Sequence, residues 1–134
     1  MERVDLERLR ELKRESATLD EKLQRLYEQA TRTTALLDGL PKGSTMRSKI
    51  EDSIVKIESA IEETRADIFE LVLLEGRFEE SVSVLPMMER RVLTMRYLDG
   101  DGYQRIANDL GRSIDHIFKL HRRGLKKILS EDSK

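Results

Sequence analysis

The chain has 134 residues and a formal net charge of −1, which leaves room for one domain with an extension or for two small units. Charged residues make up 38 % and aromatic residues 4 %, which argues against a large globular core and favours long, exposed helices. The absence of cysteine excludes disulfides and cysteine-ligated metal sites. No apolar run reaches the roughly 18 residues of a membrane span, and the N-terminus has no apolar signal core. We therefore expect a cytoplasmic protein that does not contact membranes.

The apolar pattern of residues 1–37 predicts one long helix. Apolar and small residues recur there at alternating steps of three and four, with Glu, Lys and Arg between them. This is a heptad seam over about four repeats. Its positions are Leu9, Leu12, Ser16, Leu19, Leu23, Leu26, Ala30, Thr33 and Leu37.

A loop at residues 38–45, rich in Gly and Pro, separates this helix from a second long helix. The second helix begins either at a capping box of Ser48 and Glu51 or earlier, at Ser44. Each helix has roughly 30 residues and spans about 45–50 Å. Similar lengths across a short loop predict an antiparallel hairpin. The seam of the second helix is Ile50, Ile54, Ile57, Ile61, Thr64, Ile68 and Leu71.

Residues 68–74 are apolar on more than one face of this second helix. One hairpin buries a single seam, so we expect this stretch to meet a further partner, either the C-terminal unit or a second chain. A homodimer or higher oligomer is predicted on this basis. Gly76 is expected to kink or end the helix, with helix resuming as far as Pro86.

Residues 87–98 predict a third helix, and Asp99-Gly100-Asp101-Gly102 predicts a tight turn after it. Met88, Val92 and Met95 are expected to face inward, together with Tyr97 or Leu98.

The next stretch, residues 103–129, predicts two short helices around a tight turn. Gly111 lies where a left-handed conformation is cheap only for glycine, and Ser113 can cap the following helix. Small Ala107, Gly111 four residues later, and then apolar Ile117 and Leu120 have the spacing of a helix-turn-helix. The expected inner face also includes Ile106, Leu110, Leu125 and Ile128.

The sequence thus predicts an all-α protein in which a long antiparallel hairpin precedes a three-helix helix-turn-helix unit. Residues 1–84 are assigned to oligomerisation or interaction, and residues 85–134 to DNA binding. Residues 1–86 hold 14 basic and 19 acidic side chains, a net −5, whereas residues 87–134 hold 11 basic and 7 acidic ones, a net +4. A basic end on an acidic body fits a local nucleic-acid contact.

The last helix of this unit, about residues 113–129, is predicted to enter the major groove of double-stranded DNA. Arg112 and Lys126 are expected to touch phosphate. Asp115 could accept a hydrogen bond from a cytosine amine or simply complement the helix dipole. For Lys119, Arg122 and Arg123, the alternative is that they form a basic helix face that is only solvated. The predicted contact set is Tyr103, Gln104, Arg112, Ser113, Asp115, His116, Lys119, Arg122, Arg123 and Lys126.

Catalytic chemistry is not predicted, because the chain lacks a cysteine nucleophile, a His–carboxylate constellation and a phosphate-cradling glycine loop. The Asp99–Gly102 turn lacks the spaced acids and closing Glu of a calcium loop. His116 and His121 are too isolated to be ligands, and we expect both to be solvated or to contact phosphate. No cofactor or metal is expected.

Residues 85–129 resemble region 4 of bacterial sigma factors, through LPMMERRVLTMRYLDG, YQRIANDLGRS and the tail HRRGLKKIL. The whole architecture is similar to phage and prophage late-transcription regulators of the RinA and ArpU type, which join a charged helical half to a region-4-like end. The resemblance implies a sequence-specific DNA-binding regulator acting in a bacterial host cell, or a contact with RNA polymerase. Ile114, Asp115, His116 and Phe118 depart from the usual pattern, so the resemblance does not transfer a DNA specificity.

Two other functions stay open. The first is a protein-interaction module that contacts RNA polymerase or another protein. The second is a DNA-recognition subunit similar to a phage small terminase. Small terminases usually place their DNA-binding unit first in the chain, whereas here it is last.

Overall fold

The structure, a computed structural model, describes residues 1–129, which form five helices and no β-strand. The helices are α1 (Arg3–Asp38), α2 (Thr45–Val82), α3 (Met87–Tyr97), α4 (Tyr103–Leu110) and α5 (Ile114–Ile128). The predicted all-α class is confirmed: two long helices pack together, and short helices follow them. None of the helices within residues 1–129 is long and apolar enough to span a membrane.

The predicted seams of α1 and α2 lie on the less exposed sides of the two helices. Every seam residue is buried or partly buried. Leu9 and Leu12 of α1 are completely buried, and Leu6, which the heptad pattern did not include, is buried beside them. Thr64 is the one polar seam residue of α2 that is fully buried, and its hydroxyl donates to the Ala60 carbonyl at 2.8 Å. The seam therefore buries a threonine without leaving its hydroxyl unpaired.

The connection between the long helices is closed by two polar side chains. The Ser44 hydroxyl accepts a hydrogen bond from the Arg47 backbone N–H at 3.1 Å, so the helix is capped at Ser44 rather than at Ser48. The Arg47 guanidinium donates to the carbonyls of Leu37 and Leu40 at 3.0 and 2.9 Å. The Leu37 carbonyl is in the last turn of α1 and also accepts from the Leu40 N–H at 3.1 Å, whereas Leu40 lies just beyond the helix end.

The described residues divide into two compact units. One consists of residues 16–69. The other combines residues 1–15 with the residues from 70 onward, so both ends of the hairpin sequence belong with the three short helices. Within this second unit the Phe78 and Tyr97 rings lie 6.2 Å apart, and the Met1 amino group donates to the Ile128 carbonyl at 3.3 Å. The division of function at residues 84 and 85 stays a prediction.

We expected Gly76 either to kink or to end α2. The helix continues through Gly76 to Val82, so the expected end was wrong. A glycine inside a helix costs only about 1 kcal/mol relative to alanine. Leu74 and Phe78, on either side of it, are both buried. Burial of these two side chains outweighs that cost and keeps the helix intact.

The three short helices share one apolar core. Val92 of α3, Ile106 and Ala107 of α4, and Ile117 and Leu120 of α5 are buried together. Met88, Met95 and Leu110 pack against this cluster as predicted, and Tyr97 rather than Leu98 is the buried residue at the end of α3.

An ion pair joins the first turn of α3 to the last turn of α5. The Lys127 ammonium lies 2.9 and 3.2 Å from the two carboxylate oxygens of Glu89. The Glu89 residue is only 6 % exposed, so its carboxylate depends on this partner for compensation. We therefore assign Lys127 a structural role, as the partner of Glu89, and not a role in DNA contact.

Candidate nucleic-acid interface

The turn between α4 and α5 has the predicted chemistry. Gly111 adopts a left-handed conformation, with φ 66° and ψ 37°. Its N–H and that of Arg112 donate to the carbonyls of Asn108 and Ala107, the pattern of a Schellman motif. The Ser113 hydroxyl then accepts from the His116 N–H at 3.2 Å and caps α5. The two helices are thus held at a fixed turn by local hydrogen bonds.

The outer face of α5 carries most of the predicted contact residues. Lys119, Arg122, Arg123 and Lys126 are all exposed, and their spacing of three and four places them on one side of the helix. Asp115 is exposed in the first turn of the same helix, and His116 beside it is partly buried. Arg112 and Ser113 are exposed in the turn itself. The structure therefore brings eight of the ten predicted residues together on α5 and the turn before it.

The remaining two predicted residues lie in the first turn of α4. The Tyr103 ring is partly buried, with the Arg96 guanidinium 4.1 Å from its centroid and the Phe118 ring 4.9 Å away. Gln104 is exposed and donates to the Asn108 side chain at 3.1 Å. Tyr103 thus contributes packing within the unit, whereas Gln104 is accessible.

His121 is partly buried, so the expectation that it is solvated was wrong, whereas the alternative of a phosphate contact stays a prediction. Its ring stacks on Tyr97 at 5.7 Å, and its Nε2 atom lies 2.9 Å from the Tyr97 hydroxyl. Burial, and then the positive charges of Arg96 and Arg3, lower the pKa of His121 to about 4. Burial likewise raises the pKa of the Tyr97 hydroxyl to about 12. At neutral pH this pair is uncharged and adds no cation to the surface.

The sequence did not predict that Arg3 lies near α5, because Arg3 comes from the other end of the chain. Arg3, in the first turn of α1, lines a hollow of about 440 Å³ together with Phe118, Arg122 and Lys126 of α5. The hydrogen bond from the Met1 amino group to Ile128 holds this end of the chain beside α5. No local sequence pattern connects residues 3 and 122, so only the folded structure shows this proximity.

Most side chains described on this surface are cations or hydrogen-bond donors, and they do not form a metal-binding cluster. Within residues 1–129, no group of three or more His, Asp or Glu side chains is placed to hold a metal ion. Guanidinium and ammonium groups on one helix face suit phosphate and base-edge acceptors.

Residues 82–128 match the family model of sigma-70, region 4. The match covers roughly a third of the chain and includes α3, α4 and α5 in full. Region 4 is a DNA-binding helix-turn-helix, so this segment of the chain has a DNA-binding type of fold. No curated protein and no solved structure gave a significant match to the chain.

Proposed function

We propose that the protein is a sequence-specific, double-stranded DNA-binding transcription regulator in which α5 enters the major groove. The observation that carries this proposal is the exposed basic face of α5, formed by Lys119, Arg122, Arg123 and Lys126. It lies in a segment that matches sigma-70 region 4 and follows a capped helix-turn-helix turn. We further propose that a phage or prophage encodes the protein and that it acts in the cytoplasm of a bacterial cell. These two parts of the proposal rest on the resemblance to late-transcription regulators.

The roles within the interface follow from position along α5. Residues near the start of a recognition helix contact base edges, whereas residues at its far end and in the turn before it meet the phosphates on either side of the groove. Asp115, His116 and Lys119 are therefore assigned to base edges, and Arg112 and Lys126 to phosphates. Arg122 and Arg123 lie between these groups and can serve either function.

The test is a binding series against a pool of genomic duplex fragments. Changing Lys119 and Arg122 together to Ala should weaken specific binding by about 1–3 kcal/mol for each hydrogen-bonded base that these side chains no longer reach. The matched control is Lys22→Ala with Arg25→Ala. Lys22 and Arg25 are also exposed and also three residues apart, and their substitution removes the same charge. Equal affinity of wild type and the Lys119/Arg122 variant would overturn the assignment of α5.

The match to sigma-70 region 4 also supports a second candidate function, direct contact with RNA polymerase. A protein of that kind would bind no duplex from the pool but would retain purified RNA polymerase on an affinity column. Binding to duplex DNA without retention of polymerase would favour the first function.

A further inference from the structure

The side of α2 that points away from its buried seam carries an apolar stripe. Phe69, Val72 and Leu73 are 65, 62 and 47 % exposed. Steps of three or four residues along the helix connect positions 69, 72, 73 and 76, so they share one face, and Gly76 is the last position of the stripe. The buried residues of this stretch, Leu71, Leu74 and Phe78, lie on the opposite side of the helix. Large apolar side chains clustered on one exposed helix face favour an interaction surface.

The residues along this face are self-complementary. An antiparallel pair of α2 helices related by a two-fold axis between residues 72 and 73 would place each Phe69 opposite Gly76 of the second copy. A β-carbon added at Gly76 would meet nothing within 4 Å, so this position is open to an incoming ring. The same register would bring Val72 against Leu73 across the axis.

Charge supports the same register. Arg65 and Glu80 are both exposed, and both lie on the helix face that carries the stripe. The two-fold axis would put Arg65 of one copy opposite Glu80 of the other, twice in each dimer. A parallel pairing in register would instead oppose Arg65 to Arg65 and Glu80 to Glu80, which repels.

We propose that residues 65–80 of α2 form a homodimer interface, in which a second copy of this chain packs antiparallel with Phe69 over Gly76. The proposed interface is on α2 and not on α5, and it does not depend on DNA binding. A two-fold dimer would present two helix-turn-helix units, and linked binding modules gain avidity for paired sites.

Charge reversal provides the first test. Arg65→Glu alone and Glu80→Arg alone should each raise the dimer dissociation constant by about tenfold or more, because like charges would then face each other. The double variant Arg65→Glu with Glu80→Arg should return it to within about threefold of the wild-type value. Sedimentation equilibrium over about 1–100 µM protein measures all four constants. A strictly monomeric wild type, or single variants that dimerise as well as wild type, would overturn the proposal.

Disulfide trapping provides the second test, because the chain has no cysteine of its own. Leu73→Cys places one thiol beside the proposed axis, and oxidation should yield a covalent dimer. Val55→Cys is the matched control, since Val55 is 62 % exposed on the same helix but lies about 26 Å along α2 from the axis. Its two thiols should not meet in the antiparallel dimer. Equal trapping at positions 55 and 73 would contradict this register and the proposal with it.

Discussion

Gly124 of α5 crosses Leu93 of α3 so closely that a β-carbon at position 124 would lie 2.9 Å from the Leu93 Cδ1 atom. Leu93 is completely buried, so its side chain can move away only by displacing the atoms packed around it. The same added carbon would lie 3.7 Å from the β-carbon of Glu89. Glycine at this position therefore sets how closely the last helix approaches the first helix of the helix-turn-helix unit.

Gly124→Ala and Gly76→Ala should change stability in opposite directions. Both glycines lie inside helices, where alanine is favoured by about 1 kcal/mol. At Gly76 the new methyl group meets open space, so the free energy of unfolding should rise by about 0.5–1 kcal/mol. At Gly124 overpacking against Leu93 costs about 1–3 kcal/mol and should outweigh the helix gain. Urea denaturation of dilute samples measures both, and a stabilised Gly124→Ala variant would contradict the close approach.

Lys126 and Lys127 are neighbours in sequence that should have separable roles. Lys127→Met leaves the buried Glu89 carboxylate without its partner and should lower stability by about 1–2 kcal/mol, less than for a fully buried pair because Lys127 itself is half exposed. Lys126→Met should change stability by no more than about 0.5 kcal/mol but should weaken DNA binding. Thermal unfolding and a DNA titration of each variant check both halves. The opposite pattern, with Lys126 required for stability, would refute this division.

Local chemistry made the turn and the long seams predictable from sequence. Gly111 and Ser113 act on amides within a few residues of themselves, so their roles follow from their immediate neighbours. The seam positions follow from the periodicity of one helix against another. The same reasoning placed Lys119, Arg122 and Lys126 on one outer face of α5, where the structure has them exposed.

Contacts between distant parts of the chain were not predictable in this way. His121 has the sequence context of a solvated residue, and its burial depends on Tyr97, which is 24 positions away. Arg3 comes close to Arg122 and Lys126 only because the first residues of α1 pack beside α5. Gly76 has the sequence character of a helix breaker, yet the burial of Leu74 and Phe78 keeps α2 continuous. Each difference has the same cause, a tertiary contact that overrides a local preference.

His121 should make stability fall as the pH drops. The unfolded chain binds a proton at this histidine near its ordinary pKa of 6.5, whereas the folded chain does so only near pH 4. Between these values the unfolded state carries more protons, so the free energy of unfolding decreases as the pH falls from 6.5 toward 4. The groups that face the ring are Tyr97, Tyr103, Arg96 and Arg3.

His121→Gln keeps a hydrogen-bonding side chain at this position and removes the titration. Its melting temperature should therefore fall less than that of wild type across this pH range. His116→Gln, which removes the other histidine, is the control and should preserve the steep wild-type dependence. Parallel curves for wild type and His121→Gln would show that His121 does not remain neutral in the folded chain.

Arg3 should contribute to DNA binding even though it lies at the opposite end of the chain from the recognition helix. This expectation rests on the proposed function, because Arg3 shares a hollow with Arg122 and Lys126 of α5. If it contacts one phosphate, Arg3→Ala should reduce the slope of log K against log salt by about 0.9 and weaken binding to all sequences alike. Arg14→Ala is the matched control, since Arg14 is an exposed arginine on the same helix. A wild type that binds DNA, together with an Arg3→Ala variant whose salt slope is unchanged, would show that Arg3 is outside the interface. In that case, a rise in the pKa of His121 in the Arg3→Ala variant would still confirm that the start of α1 lies beside α5, because the Arg3 charge helps to lower that pKa.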